Sequence, residues 1–303
     1  MVYNWFGTGF VPLIISYTLS FTVLFIGSIT DLKTREVPDW LNYGLIISGF
    51  MLNLLFSVIY LKPAFIINST IGFLIFFGVA YFMFYAGQWG GGDSKMLMGL
   101  GAMIGFDLSF KAPVFLFAFF INVLLAGAVY GLLWSIFFAF RNKRKFFREF
   151  KKLLSAEKTV KIKKFLVIIT SLYLVFILAS MLKFRLNRNI NIMFLSFLLL
   201  LAMTFYLWIF VKAIEKSSMY KLVAPAKLTE GDWIANDVIV NKQYICGPKD
   251  LGIEKKQIKR LIQLYRQGKV KNILIKEGVP FVPSFFIAFI ATLIFGNPLA
   301  WML

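Results

Sequence analysis

Gly90-Gly91-Gly92-Asp93-Ser94-Lys95 lies between two strongly apolar stretches, Phe65 to Ala86 and Met96 to Phe106. An acidic residue at the edge of a membrane span is costly to keep there, and by default it marks function. The three glycines before it carry no Cβ, so they allow a sharp entry into the next span and the close approach of an extended peptide. A second carboxylate, Asp31, stands at the edge of another apolar run, after Ile26-Gly27-Ser28-Ile29-Thr30. Two carboxylates at one membrane depth make a candidate acid–base pair, and the rest of the chain can be read as what brings them together.

The chain has 303 residues, 59% of them hydrophobic, and several apolar runs reach the length needed to cross a bilayer. The expected fold is an all-α polytopic membrane protein of about eight transmembrane helices, with a small cytoplasmic α+β insert before the last. The spans expected are Val11–Thr30, Trp40–Leu61, Ala64–Gly87, Met96–Phe106, one from Pro113 to Phe140, Phe165–Leu182, Ile190–Val211 and Phe281–Leu299. Pro38 breaks the chain ahead of the second span, where Asp39 is placed to cap the helix. Gly99, Gly101 and Gly105 remove bulk from the short fourth span, which places it inside the bundle. Met1 to Phe6 lack the basic start of a removable signal peptide.

The domains follow from composition. Residues 1–140 form a membrane core carrying both aspartates, and 141–164 a basic linker suited to anionic lipid headgroups. Residues 165–211 form a transmembrane hairpin, 212–278 the soluble insert, and 279–303 the last span. Within the insert, Asp237–Val240 and Asn272–Ile275 read as strands, and Ile253 to Gln267 as a helix with Ile258, Leu261, Ile262 and Tyr265 on one face. The net charge of +19 sits mostly between spans, where Lys and Arg set topology. No nucleic-acid motif accompanies it, so no nucleic-acid partner is expected. With eight spans, positive-inside parity puts the linker, the insert, Asp31 and Asp93 all on the cytoplasmic side. Lys183, Arg185 and Arg188 alone run against it.

One cysteine, Cys246, and no histidine rule out an intrachain disulfide, the usual zinc sites and histidine-based catalysis. No metal or cofactor is expected, and carboxylates are left to do the chemistry. Each candidate also has a plainer reading. Asp93 can be a helix N-cap, Asp31 a solvated residue at a helix end, and Lys95 a snorkelling side chain rather than a partner of Asp93 or of a substrate carbonyl. Glu36 and Asp39 are either ordinary loop charges or contacts for a basic substrate. Pro280 and Pro283 either shape a helix start or hold non-helical backbone against a bound peptide.

Asp31 with Val37-Pro38-Asp39-Trp40-Leu41, then Gly90-Gly91-Gly92-Asp93-Ser94-Lys95, resembles the type IV prepilin peptidase family, membrane aspartic proteases of the Gly-x-Gly-Asp type. Gly278-Val279-Pro280-Phe281-Val282-Pro283-Ser284-Phe285 is similar to its archaeal branch. The resemblance implies that Asp31 and Asp93 are the catalytic pair. It implies as substrates pilin or archaeal flagellin precursors with a short basic leader, cut at the cytoplasmic face of the cell membrane. The four-cysteine zinc module of the common bacterial enzymes has no counterpart here, so peptidase activity without methylation is expected. Two alternatives stay open: a presenilin-like or signal-peptide-peptidase-like protease, and a transporter whose aspartates bind cations.

Overall fold

The computed structural model describes residues 10–107, 115–183 and 188–298. The readings that rest on Met1 to Phe6, on the turn from Leu108 to Pro113, on Arg185 and on the end of the last span at Leu299 lie outside them. Ten α-helices and five short strands among the described residues follow the alternation of apolar runs and breakers. α1 is Phe10–Thr34, α2 Asp39–Ile59, α3 Ala64–Tyr85, α4 Gly91–Ile104 and α5 Phe115–Arg141. α6 is Lys143–Leu154, α7 Glu157–Lys183 and α8 Arg188–Ile214. The insert contributes β1 (Tyr220–Val223), β2 (Trp233–Ile234), β3 (Val238–Val240), β4 (Gln243–Cys246), α9 (Lys255–Arg266) and β5 (Ile273–Lys276). α10 is Val282–Phe295.

Five helices among the described residues are long and apolar enough to cross a membrane: Val11–Thr34, Asp39–Ile59, Ala64–Tyr85, Phe115–Arg141 and Leu195–Met219. Only 22–33% of each is buried. Leu74, Phe77 and Phe82 on α3 and Leu199, Leu200 and Met203 on α8 are among the large apolar side chains left exposed. Water penalises such a surface and hydrocarbon does not. The chain is therefore a multi-pass membrane protein. The full count of eight differs from these five. α4 and α10 have 14 residues each, about 21 Å of helix against a hydrocarbon core of about 30 Å. α7 has the length, but the side chains at its far end lie outside the described set.

The chain divides into two compact units, with the boundary inside α5 after Trp134. In the first, α4 is packed against α1, α2 and α3, and its glycines explain how. A Cβ on Gly101 would run into the Gly72 carbonyl oxygen of α3, and one on Gly99 would meet the Leu45 side chain of α2 at 2.8 Å. Leu97, Leu100 and Met103 are fully buried, as are Phe119 of α5 and Phe285 and Phe289 of α10. The fourth helix is thus the buried centre expected from its small residues. Most of the insert belongs to this unit too. β3 and β4 pair antiparallel, with a register shift between Val238 and Ile239, and α9 packs on β4 and on a 3-10 turn at Pro225–Lys227.

In the second unit, α6 lies along α8. Phe146 is buried against Phe150 and Phe210, while Phe147 on the same short helix stays exposed. The basic linker is therefore α6 together with the first turns of α7, not one continuous helix: the chain breaks at Ser155. α8 ends in a π-helical turn, Glu215–Met219. There Glu215 pairs with Lys212 at 2.8 Å and Lys276 at 2.9 Å and accepts a hydrogen bond from the Tyr220 hydroxyl at 3.2 Å. β1 lies beside β5, and the Glu277 N–H donates to the Met219 carbonyl at 2.8 Å.

Candidate active site

α1 does not stop at Thr30. It runs one turn further, so Asp31 is a helical residue inside the bundle, 5% exposed. Arg35 ends the helix in the left-handed region (φ 60°), with its N–H on the Asp31 carbonyl at 2.8 Å. That conformation is uncommon for a residue with a side chain, and it is held from outside. The Arg35 guanidinium donates to the carbonyl of Gly278, in the segment that leads into α10.

That segment reaches Asp31 itself. The Val282 N–H donates to Asp31 Oδ2 at 2.9 Å, within the buried core. Val282 opens α10 and Pro283 follows it. Pro283 has no N–H, so Val282 offers the donor at this helix start, and the positive end of α10 faces the carboxylate. Pro280 and Pro283 are both buried. The Pro-Phe-Val-Pro stretch shapes the start of α10.

Asp93 is the third residue of α4, not its N-cap. Gly90 takes the cap position in extended backbone, and its N–H donates to Asp93 Oδ2 at 3.0 Å. Glycine has no side chain to return the bond, so this is half of a capping box, with the acid also placed at the positive end of the helix. Gly91 and Gly92 are already helical. The sharp turn falls earlier, at Gly87 (φ 66°), against which the Trp233 ring packs at 3.3 Å from a would-be Cβ. Trp89, buried, then locks the loop onto α10, with its ring 5.9 Å from that of Phe281 and 5.3 Å from that of Phe285.

The two aspartates are brought together by one contact lower in the bundle. Gly27 has no side chain, and Met96, Val282 and Leu41 converge on the space, the Met96 Cε within 2.9 Å of where a Cβ would stand. Gly92 beside Val37, Gly99 beside Leu45 and Gly49 beside Met103 show α4 running parallel to α2. Since α1 and α2 are joined by a short turn, α4 is antiparallel to α1. Asp31 lies four residues beyond Gly27 and Asp93 three residues before Met96, rises of about 6 and 4.5 Å toward the same end of the bundle. The carboxylates thus stand nearly level, close enough for the charge of Asp31 to act on Asp93.

The other candidates fare differently. Lys95 is not a partner of Asp93. It pairs with Asp39 at 2.6 Å and lies 4.9 Å from the centre of the Tyr43 ring. Asp39 accordingly does not cap α2: Pro38 holds that position, and Asp39 belongs to the first turn. Glu36 is exposed beside Arg35 in the loop that follows Asp31. Trp89 and the Val282 N–H went unassigned in the sequence reading. A tryptophan abutting the glycine-rich stretch and a proline pair at a helix entry were the signals available for them.

Comparison with known proteins fits this arrangement. Residues 18–136 match the type IV leader peptidase family. The chain is 43% identical over 81 residues to a preflagellin peptidase of Methanocaldococcus jannaschii, covering 27% of this chain and 34% of that one. It is 37% identical over 101 residues to a preflagellin peptidase of Methanococcus maripaludis, covering 33% and 42%. A prepilin peptidase, EppA, of Methanothermobacter thermautotrophicus is 20% identical over 94% of this chain and 95% of its own. The chain thus aligns with only 34% and 42% of the length of these two preflagellin peptidases.

Proposed function

We propose that this chain, whose residues 18–136 match the type IV leader peptidase family, is a membrane aspartic endopeptidase that removes the leader of prepilin- or preflagellin-like precursors. One observation carries the reading: Asp31 and Asp93 come from different helices, stand at one level and are each fixed by a main-chain N–H. Two adjacent carboxylates cannot both ionise easily, so one retains a proton while the other takes one from water. The hydroxide so formed attacks the scissile carbonyl carbon, and the protonated partner donates to its oxygen. Collapse of the tetrahedral intermediate breaks the C–N bond, and the leaving amine takes a proton from the pair. Fixing both acids in advance spares the enzyme the cost of ordering them during the reaction.

The substrate would present a hydrophobic helix to the bundle and place its cleavage point at the cytoplasmic boundary, level with the carboxylates. Glu36, exposed beside the site, is the acid we assign to the basic leader. Asp39, already held by Lys95, is less free to serve. On this reading the cell membrane holds residues 1–140, 165–211 and 279–303, the insert at 212–278 is cytoplasmic, and Lys145, Lys151 and Lys152 of α6 rest on anionic headgroups.

The test is leader removal from candidate precursors in membranes, with enzyme amounts matched. Asn keeps the carbonyl oxygen that accepts the Gly90 or Val282 N–H, but it cannot relay a proton. Asp31→Asn and Asp93→Asn are each expected to lose about 10³-fold or more, and the double variant to be little worse than either, since residues acting as one unit are strongly non-additive. Near-normal cleavage by a well-expressed Asp93→Asn protein would sink the reading.

A further inference from the structure

α5 presents one face to the bundle, and Leu116, Phe119 and Val123 on it are essentially without exposure. Gly127 and Tyr130 continue that face at steps of four and three residues. Gly127 is there for contact: the Phe281 ring fills the place of its side chain, with Cζ 2.7 Å from a would-be Cβ. Phe281 directly precedes Val282, whose N–H holds Asp31. One turn beyond Gly127, the Tyr130 hydroxyl is within the field of the Asp31 carboxylate.

That hydroxyl is buried, and none of the described residues accepts its proton. The neighbouring Trp134 ring, edge-on with centroids 6.3 Å apart, offers an indole N–H, which donates and cannot accept. A phenylalanine would supply the same ring packing. A tyrosine whose O–H proton finds no acceptor in the resting molecule calls for a separate explanation, and a catalytic role is one that supplies the acceptor during the reaction.

We propose that the Tyr130 hydroxyl is a third catalytic group of the site, donating a hydrogen bond to the carbonyl oxygen of the scissile peptide as the attacked carbon becomes tetrahedral. This assignment rests on the peptidase reading above. No proton leaves Tyr130: its O–H bond stays intact, and the oxygen it faces is the atom that gains negative charge as the C=O double bond opens. A donor fixed in advance and sheltered from water stabilises that charge more than it stabilises the ground-state carbonyl.

The experiment compares wild type, Tyr130→Phe and Asp93→Asn on one purified precursor that wild type is asked to process, measuring kcat and KM separately. Tyr130→Phe is expected to lower kcat about 10²- to 10³-fold, the range for loss of one such donor, with KM within about threefold. Its folded yield and Tm are expected to stay close to wild type, because the phenyl ring keeps the packing against Trp134. A merely structural role would instead move Tm or yield and leave kcat alone. Tyr130→Phe with kcat within twofold of wild type overturns the proposal while leaving the aspartate pair in place. A wild-type protein that cleaves no precursor removes the peptidase reading itself, and the role of Tyr130 with it.

Discussion

At the scale of single residues, the site is built from main-chain donors that no side-chain motif announces. Asp31 and Asp93 were legible because a carboxylate at the edge of an apolar run is rare. What holds them was not: a peptide N–H is the same in every sequence, and Val282 reaches Asp31 only through tertiary folding. The partners of Lys95 were hidden for a related reason. Its charge is obvious in the sequence, but Asp39 and Tyr43 meet it from another helix. That pair is exposed, Asp39 at 68% and Lys95 at 32% of the side chain, so it contributes no more than about 1 kcal/mol. Lys95→Met is accordingly expected to keep cleavage within a few-fold of wild type and to shift Tm by only a few degrees. A loss as deep as that of an aspartate variant would put Lys95 back among the reacting groups.

At the scale of elements, the crossings of α4 are set by absent side chains. A Cβ at Gly101 meets the backbone of α3, which has no room to move aside. Gly101→Ala is therefore expected to destabilise by about 1–3 kcal/mol, read as a lower Tm in detergent, whereas Gly78→Ala on α3, where nothing lies within 4 Å, is expected to be neutral or slightly stabilising. Gly87 presents a different limit. It adopts a positive φ, and alanine there would be strained and would press on the Trp233 ring. Gly87→Ala should lower cleavage by about tenfold while α4 remains folded, measured by leader removal at matched protein. Helix lengths were readable from apolar runs, but α1 overran its expected end by a turn because Asp31, Lys33 and Thr34 are compatible with a helix once Asp31 finds a buried donor. The short strands β1 and β4 were not foreseen. At four residues each, they carry too little periodicity to stand out from loop.

At the scale of the whole chain, the function proposed above asks for no acid from the insert. Asp232 accepts the Thr229 N–H at 2.8 Å, and Glu254 stands at the cap of α9, which gives both of them local structural work. Asp232→Asn and Glu254→Gln are expected to leave cleavage within a few-fold of wild type; a loss of 10³-fold by either would move the reaction into the insert. Cys246 bears on topology. It is fully buried, and burial, with the nearby Asp250 charge, pushes its thiol up to about 11. The folded state therefore favours the neutral thiol, and that contribution to stability is present below the ordinary thiol range and fades as pH rises toward 11. A membrane-impermeant thiol reagent should label Cys246 slowly even in opened membranes, at a rate that keeps climbing through pH 9 without levelling off in the ordinary thiol range, and quickly only on denaturation. The side of the membrane is better read from a cysteine placed at exposed Lys249 in a Cys246→Ser background. The hydrogen bond from Val282 to Asp31 also sets a clock. The two residues lie 251 positions apart, about 13 to 50 s of synthesis at 5–20 residues per second. Throughout that interval the nascent chain carries Asp31 without its Val282 donor. On the peptidase function proposed above, the setting of Asp31 is completed only once α10 has been made, so chain order itself times when the site forms.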